Sequence, residues 1–484
     1  MCYVCGADQV DEDRLEGCGI LRKRCAVLFH SQPFILLFLP ITLVAYYATA
    51  PWRLAREWVL LIASFTFYSW WDVRFLPLLL AQTTATWAAV ALHRRTRISG
   101  LLWAGVALNL ASLIFFKYTA FLAASLATIV GAKAPQISIV LPIGISFFTF
   151  QLACYLVDVA RGEAHCYPWR RVTLFVSLFP HLIAGPIVRH HQIMPQLDAD
   201  PLRPGLAERM AKGLAFFVIG CAKKVLLADP MANIADPIFA AAAFSSPSLI
   251  DAWHGALAFS FQLFLDFSAY TEMAIGIGLM LGVRFPNNFE MPYRANDLAA
   301  FWRRWHITLS QLIRDYLYIP LGGSRHGWVV YVKATMISMG LCGLWHGAGW
   351  TFVVWGLAHG AGLVVCRAWQ KSGLRLPIPL AYALTMLFVL LGWVLFRSPD
   401  FTTAGHVIAG LAGLGPGLAP TFSVKPVLAA AAAASLLTPS TQRLVEDGWL
   451  QPVSYQAIGL SLLFVMCILV VGAGQPNTYI YFQF

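Results

Sequence analysis

Long apolar runs alternate with short polar breaks along most of this chain. A membrane-spanning helix needs roughly 20 predominantly apolar residues, and such runs recur from about residue 28 to the C-terminus. The pattern predicts about 11 to 14 spans. The predicted fold class is all-α: a polytopic integral membrane protein with re-entrant or interfacial helices around a central funnel.

Two regions depart from this pattern. Residues 135–150 carry Pro142 and Gly144 inside an apolar run, which predicts a broken or re-entrant segment that protein or water must cover. Residues 284–327 are too polar to span and are interpreted as interfacial or funnel-lining helices on the cytoplasmic side. Helical spacing predicts that four residues of this segment share one helix face: Arg303, His306, Ser310 and Arg314.

Composition supports the membrane class. Of 484 residues, 59% are hydrophobic and 12% are charged, whereas soluble proteins average ~45–50% apolar and ~25% charged residues. The net charge of +11 comes from cations clustered between apolar runs, as at Arg94, Arg95 and Arg97. This clustering is typical of cytoplasmic loops, and without a soluble basic domain it excludes nucleic-acid binding.

The first 26 residues differ from everything that follows. They are polar and acidic, and they hold four of the ten cysteines at spacings that do not match a zinc site. We interpret residues 1–26 as a polar leader from a mis-assigned start, with Val27 as the alternative start. Residues 27–484 are then one membrane domain.

Two histidines lie among tryptophans, in Trp305-His306 and in Trp345-His346-Gly347. An ionisable residue costs at least ~2.5 kcal/mol at the bilayer centre, so each is a functional-site hypothesis. An ordinary pKa of about 6.5 suits histidine to proton transfer. His346 lies between apolar stretches and is expected to be buried; for His306 a structural histidine held by a backbone carbonyl remains an alternative.

Other ionisable residues have less specific interpretations. Asp266 and Glu272 lie in an apolar stretch and are interpreted as members of structural ion pairs. His190 and His191 lack a carboxylate or thiol at ligand spacing, so no metal site is predicted. His359 is interpreted as packing, with a role as a partner of His346 as the alternative.

Four motifs together resemble one known family. They are Leu141-Pro142-Ile143-Gly144-Ile145-Ser146, Ala184-Gly185-Pro186, Phe301-Trp302-Arg303-Arg304-Trp305-His306 and Leu344-Trp345-His346-Gly347. The chain resembles the membrane-bound O-acyltransferases from about residue 28 to its end. The most similar branch contains the membrane subunits that acetylate bacterial exopolysaccharides such as alginate and cellulose.

The resemblance implies acyl transfer with His346 as the principal catalytic residue and His306 as the second. The expected donor substrate is acetyl-CoA, with no bound cofactor, and His346 is expected where donor and acceptor openings meet. A Trp indole, Ser310 or a backbone amide are candidate oxyanion donors. Four residues are predicted to bind the donor phosphates, with positive-inside topology or anionic lipid as the alternative for the arginines: Arg303, Arg304, Arg314 and Ser310.

The resemblance also implies a location and partners. We expect a bacterial inner membrane protein that works with a periplasmic or membrane-anchored acetyltransferase partner, the polysaccharide synthesis and export machinery, and membrane lipid. D-alanyl transfer to an envelope polymer, protein acylation and proton-coupled transport, with His346 as a relay, are the alternatives.

Overall fold

The computed structural model describes residues 28–416, 426–448, 454–474 and 479–480. Within these ranges the chain is helical and contains no strand, which confirms the predicted all-α class. The predicted leader, residues 1–26, lies outside the described residues.

Many of the helices are long and apolar, and several contain a π or 3₁₀ turn. The N-terminal third comprises a π turn Phe34–Phe38, α1 Leu39–Ala48, α2 Arg53–Asp72, a 3₁₀ turn Val73–Phe75, α3 Leu76–Thr96, α4 Gly100–Leu113, a π turn Ile114–Tyr118 and α5 Thr119–Ile129. The middle comprises α6 Ile145–Ala160, α7 Trp169–Ser177, α8 Phe179–Leu182, α9 His190–Ile193, a 3₁₀ turn Met194–Asp198, α10 Leu206–Ala222, a π turn Lys223–Ala228, α11 Asp229–Ala241 and α12 Leu249–Met280. The remainder comprises a 3₁₀ turn Pro292–Arg294, α13 Leu298–Trp302, α14 Ile307–Ile313, a π turn Arg314–Tyr318, α15 Trp328–His346, α16 Trp350–Ser372, α17 Ile378–Arg397, α18 Phe401–Leu411, α19 Pro426–Leu436, α20 Thr441–Glu446 and α21 Ser454–Ala473.

Seven helical runs in the described residues are long and apolar enough to cross a membrane. Four shorter apolar helices accompany them. The run Arg53–Thr96 has 44 residues, about twice the roughly 20 residues that one crossing needs. It is divided at Asp72, whose backbone is extended and whose carboxylate accepts a hydrogen bond from the Arg74 amide. The polytopic prediction is confirmed, and the number of crossings stays a prediction.

Helix α12 forms the centre of the molecule, with 94% of its most apolar window buried. Two carboxylates on this helix pair with lysines of the π turn that follows α10: Lys224 contacts Asp266 at 2.9 Å, and Lys223 contacts Glu272 at 2.6 Å. Lys224 also contacts Asp229 at 2.8 Å. These contacts confirm the interpretation of Asp266 and Glu272 as members of structural ion pairs, since an isolated charge would be costly at these buried positions.

The predicted break near residue 142 is present. Residues 132–142 have no regular secondary structure, and α6 begins only after Gly144. Gly144 has φ +73°, and a Cβ there would lie 2.8 Å from the carbonyl oxygen of Leu182. The turn therefore requires glycine for both its backbone angle and its close approach.

Helices α15 and α16 form a tight hairpin around the predicted catalytic histidine. A Cβ on Gly343 would lie 2.2 Å from the carbonyl oxygen of Phe352, and one on Gly356 would lie 2.2 Å from that of Met339. Small residues let membrane helices approach closely, so this glycine pair fixes the spacing of the hairpin whose turn follows His346.

Candidate active site

His346 is the last residue of α15 and is only 4% exposed. Its ring lies among three aromatic rings, with centre-to-centre distances of 4.8 Å to Trp345, 5.2 Å to Trp355 and 5.2 Å to Phe396. The expectation of burial is confirmed. This packing restricts the rotation of the imidazole, as a proton-transfer group requires.

The end of α15 is held by a different transmembrane helix. The last carbonyl groups of a helix have no partner within it. Here the Lys117 ammonium donates to the carbonyl oxygens of Trp345 at 2.5 Å and His346 at 3.2 Å, and the Tyr118 hydroxyl donates to that of Leu344 at 2.9 Å. Sequence reasoning missed Lys117, although a lysine inside an apolar run is itself a signal.

A cavity of about 120 Å³ lies beside His346. His346, Trp345 and Lys117 form part of its lining, and the remainder includes the turn that ends at Gly144 and the start of α6, residues 141–147. This cavity places a glycine-containing turn, an ammonium group and an imidazole beside one another.

His306 is fully buried between α13 and α14, with its backbone in the left-handed region at φ +43°. A non-glycine residue in that region stores ~1–3 kcal/mol of strain and persists only where its surroundings fix it. Its Nδ1 lies 3.1 Å from Oδ1 of Asn288, which also accepts from the amide and the hydroxyl of Thr308, at 3.2 and 3.0 Å. The side-chain oxygen of Asn288 is thus a hydrogen-bond partner of this ring.

The Asn288 contact determines the tautomer of His306. The Thr308 amide donates to Oδ1 of Asn288, which identifies this atom as an acceptor. His306 must therefore donate to it, so the His306 proton is on Nδ1 and Nε2 is the basic nitrogen. Burial lowers the pKa of His306, which lies outside the candidate spans, to about 3. The imidazole is therefore neutral at physiological pH.

Aromatic rings connect the two histidines. The ring of Trp345 lies 4.8 Å from that of His346 and 6.1 Å from that of His306, and Phe267 of α12 meets His306 edge-on at 4.7 Å. The structure thus brings the two predicted catalytic residues to the two sides of one indole.

A second, larger cavity of about 460 Å³ is lined by arginines. Three of the predicted donor-binding residues line it: Arg303, Ser310 and Arg314. Arg367 of α16 also lines it, with its guanidinium 4.5 Å from the centre of the Tyr331 ring. Sequence reasoning missed Arg367, whose position in a long apolar helix was the available signal.

Arg304 does not line the cavity, because its guanidinium donates to the carbonyl oxygen of Arg294 at 3.3 Å, and its role in donor binding stays a prediction. The expectation of one shared helix face is wrong. His306 does not share a helix face with Arg303 and Ser310, because the chain turns at His306 between two short helices. Arg303, Ser310 and Arg314 therefore face the cavity while His306 enters the core.

Trp302 lies between the arginine cavity and the buried histidines. Neither His306 nor His346 lines that cavity, so a meeting of donor and acceptor openings at His346 stays a prediction. Trp302 does line it; its indole N–H donates to Nδ1 of His359 at 3.2 Å, and its ring contacts Trp355, which contacts His346. His359 therefore packs behind Trp302 and Trp355, and the choice between packing and a role as a partner of His346 stays a prediction.

No metal centre is present in the described part of the chain, where no group of three histidine, cysteine or acidic residues is close enough to hold an ion. His190 instead contacts Asp158, with 3.2 Å between Nε2 and Oδ2.

Ser310, one of the candidate oxyanion donors, donates to the carbonyl oxygen of Trp305 at 3.3 Å. It lies in the arginine cavity, away from the pocket of His346.

Comparison with known proteins agrees with the resemblance found in the motifs. A model of the membrane-bound O-acyltransferase family matches residues 58–397, which include both histidines and the linings of both cavities. The chain is 40% identical over 403 residues to the probable alginate O-acetylase of Azotobacter vinelandii, covering 80% of this chain and 79% of that protein. It is 38% identical over 424 residues to the peptidoglycan O-acetyltransferase of Helicobacter pylori, covering 80% of each. A more distant relative, the teichoic acid D-alanyltransferase of Streptococcus thermophilus, is 27% identical over 257 residues, or 49% of this chain and 62% of that protein.

Proposed function

This chain belongs to the membrane-bound O-acyltransferase family, and from that premise we propose that it passes an acetyl group from cytosolic acetyl-CoA to hydroxyl groups of an exported polysaccharide. The observation that carries the proposal is the placement of His346: it lines a small cavity on one side, and two indoles separate it from an arginine-lined cavity on the other. Two substrates that approach one base from different faces need a separate cavity for each of them.

The arginine cavity suits the donor. Its volume of about 460 Å³ is within the usual range of ligand pockets. Guanidinium groups match phosphate geometry, and Arg303, Arg314 and Arg367 present three of them. The acyl end of the thioester then has to pass Trp302 and Trp355 to reach His346.

The chemistry at His346 is general-base catalysis. The neutral imidazole takes the proton from the acceptor hydroxyl as its oxygen bonds to the thioester carbonyl carbon, and the carbonyl electron pair moves to oxygen. The C–S bond then breaks, and the leaving thiolate takes the proton back from the imidazolium. Proton transfer of this kind contributes ~10²–10⁴-fold. The indole N–H groups of Trp345 and Trp355 are buried and have no hydrogen-bond partner among the described residues, and they suit the oxyanion.

The setting follows from the donor and the acceptor. Acetyl-CoA is made in the cytosol and the polymer is exported, so the enzyme belongs in the bacterial inner membrane. A periplasmic or membrane-anchored acetyltransferase partner, together with the synthesis and export machinery, would receive the acetyl group or present the acceptor.

Native membranes provide the test. Inside-out vesicles from a strain that lacks the gene and expresses this chain are supplied with [¹⁴C]acetyl-CoA, and alkali-labile label in the polymer is counted. We expect labelled ester from wild-type vesicles, and at least a ~10²-fold smaller rate from His346→Ala, with both proteins at equal levels and monodisperse in detergent. A fully active His346→Ala variant would remove the catalytic assignment.

Polymer extracted from intact cells that express the chain, where both acyl donors can form, distinguishes the alternative acyl group after alkaline release. Chromatography of the released acid separates acetate from D-alanine. The greater similarity to the acetylating relatives, at 40% and 38% identity against 27%, favours acetate. Release of D-alanine would instead assign the chain to teichoic-acid-like chemistry.

A further inference from the structure

Lys117 is a cation in the middle of the candidate span Gly100–Ile129. A charge at membrane depth is costly and rarely kept without a role. Its helix is interrupted there by the π turn Ile114–Tyr118, and single π turns in helices are frequent at functional sites. The position therefore needs an explanation that packing alone does not supply.

The contacts of Lys117 lead directly to His346. Its ammonium donates to the backbone carbonyl oxygens of Trp345 and His346, the last two residues of α15. Carbonyls at a helix C-terminus carry partial negative charge and attract cations. The lysine thus holds the one peptide segment from which the His346 ring projects.

Packing fixes the other side of His346. A Cβ on Gly347 would lie 2.2 Å from the Phe352 ring, so the chain after His346 has no room to shift toward α16. Before His346, α15 is held against α16 by the Gly343–Gly356 approach. Lys117 adds a restraint from the opposite helix, and it lines the small cavity together with the imidazole.

We propose that Lys117 is a positioning residue that fixes the backbone of His346, and with it the orientation of the catalytic imidazole toward the small cavity. The inference rests on the proposed function, because it assumes that His346 is the base. Misplacement of a catalytic group by about 1 Å costs ~10²-fold in rate, so loss of this ammonium acts on turnover rather than on donor binding, which takes place in the other cavity.

Lys117→Met tests the proposal in the vesicle assay, because it removes the ammonium and keeps the length of the side chain. We expect kcat to fall by about 10²-fold with the KM for acetyl-CoA unchanged. Thr119→Val is the matched control, since it removes a hydrogen bond within the same helix, to the carbonyl oxygen of Phe115, and we expect a change of less than about threefold. Wild-type kcat in a folded Lys117→Met protein would overturn the proposal, as would an equal fall in Thr119→Val.

Lys117→Cys keeps the test valid if the methionine variant does not fold. Alkylation of this cysteine with 2-bromoethylamine forms a new S–C bond with loss of bromide and restores an ammonium at nearly the original length. We expect the treatment to raise kcat at least tenfold, while equally treated wild type and Lys117→Ala stay unchanged. No gain in a fully alkylated protein would contradict the positioning role. His346→Ala in the same series separates the two claims: an active His346→Ala variant refutes the base itself, whereas an inactive one beside a fully active Lys117→Met refutes only this inference.

Discussion

At the residue scale, the site depends on hydrogen bonds between segments far apart in the chain. His346 was recognisable in the sequence because a Trp-His-Gly motif between apolar runs is unusual and costly. Lys117 and Asn288 were not assigned roles, because their contacts reach Trp345 and His306 across 228 and 18 positions, respectively. Local spacing contains no information on such pairs.

Asn288 offers a test of whether His306 transfers protons. Asn288→Ala removes the oxygen that accepts from Nδ1 of His306, so the tautomer with a basic Nε2 is no longer fixed. Loss of such an outer partner costs ~10–100-fold at metal-bound histidines, and we expect a fall in kcat of at least tenfold. Kinetics in vesicles and thermal unfolding in detergent measure it.

The matched control is the adjacent Asn287→Ala, whose side chain contacts Glu290 and the amide of Phe289 rather than a histidine. A drop in unfolding temperature for Asn288→Ala with kcat unchanged would assign His306 a structural role.

Arg303 and Arg304 are neighbours in the sequence, but the structure gives them different surroundings. Arg303 lines the large cavity, and Arg304 bonds to the carbonyl of Arg294. We expect Arg303→Gln to raise the KM for acetyl-CoA about fivefold, the equivalent of ~1 kcal/mol for an exposed ion pair, with kcat unchanged. Arg304→Gln should leave this KM within about twofold of wild type. An equal effect of both variants would mean that general positive charge, rather than the cavity, attracts the donor.

At the element scale, the α15–α16 hairpin determines where His346 lies. The two helices pair as a hairpin in the structure, whereas the sequence predicted only apolar stretches on either side of His346. It did not predict the glycine contact between them, since Gly343 and Gly356 become neighbours only when the helices pair. The short helices on each side of His306 were predicted as one helix. They are separate because His306 has a left-handed backbone angle. Asn288 and the surrounding core hold that angle, and local spacing does not reveal such long-range contacts.

Gly356→Ala tests this packing. The added methyl would lie 2.2 Å from the carbonyl oxygen of Met339, so the helices must separate, at a cost of ~1–3 kcal/mol for overpacking. We expect a lower unfolding temperature together with a loss of kcat, because the shift displaces His346.

Gly405→Ala in α18 is the control, since, apart from its own helical turn, no atom of the described residues lies within 4 Å of a Cβ there. Alanine should be neutral or stabilising at that helical position, by up to ~1 kcal/mol. Equal stability of the two variants would show that the hairpin accommodates a wider spacing.

At the scale of the whole molecule, hydrophobic pattern and charge were sufficient for the class. A chain that is 59% hydrophobic with cations between its apolar runs cannot fold as a soluble domain. The pattern could not show that Trp302 and Trp355 lie between the arginine cavity and His346, because these two indoles come from different helices. The side of the membrane to which each cavity opens is predicted from the charge pattern, and the donor route depends on it.

Topology provides the final prediction. We expect the arginine cavity to open to the cytosol, because arginine-rich loops favour that side. In a background whose native cysteines are replaced, Ser324→Cys at an exposed site near this cavity should resist a membrane-impermeant maleimide in intact cells and react in inside-out vesicles.

Two exposed positions give the controls. Ser99→Cys follows the basic end of α3 and should behave like Ser324→Cys. Ala132→Cys follows the other end of the 30-residue run Gly100–Ile129, which at 1.5 Å per residue is about 45 Å long, enough to cross the membrane. We expect it to react from outside in intact cells. Labelling of Ser324→Cys and Ser99→Cys from outside, with Ala132→Cys protected, would invert the orientation. Cytosolic acetyl-CoA would then meet the small cavity of Lys117 and His346 first, and the arginine cavity could not be the donor site.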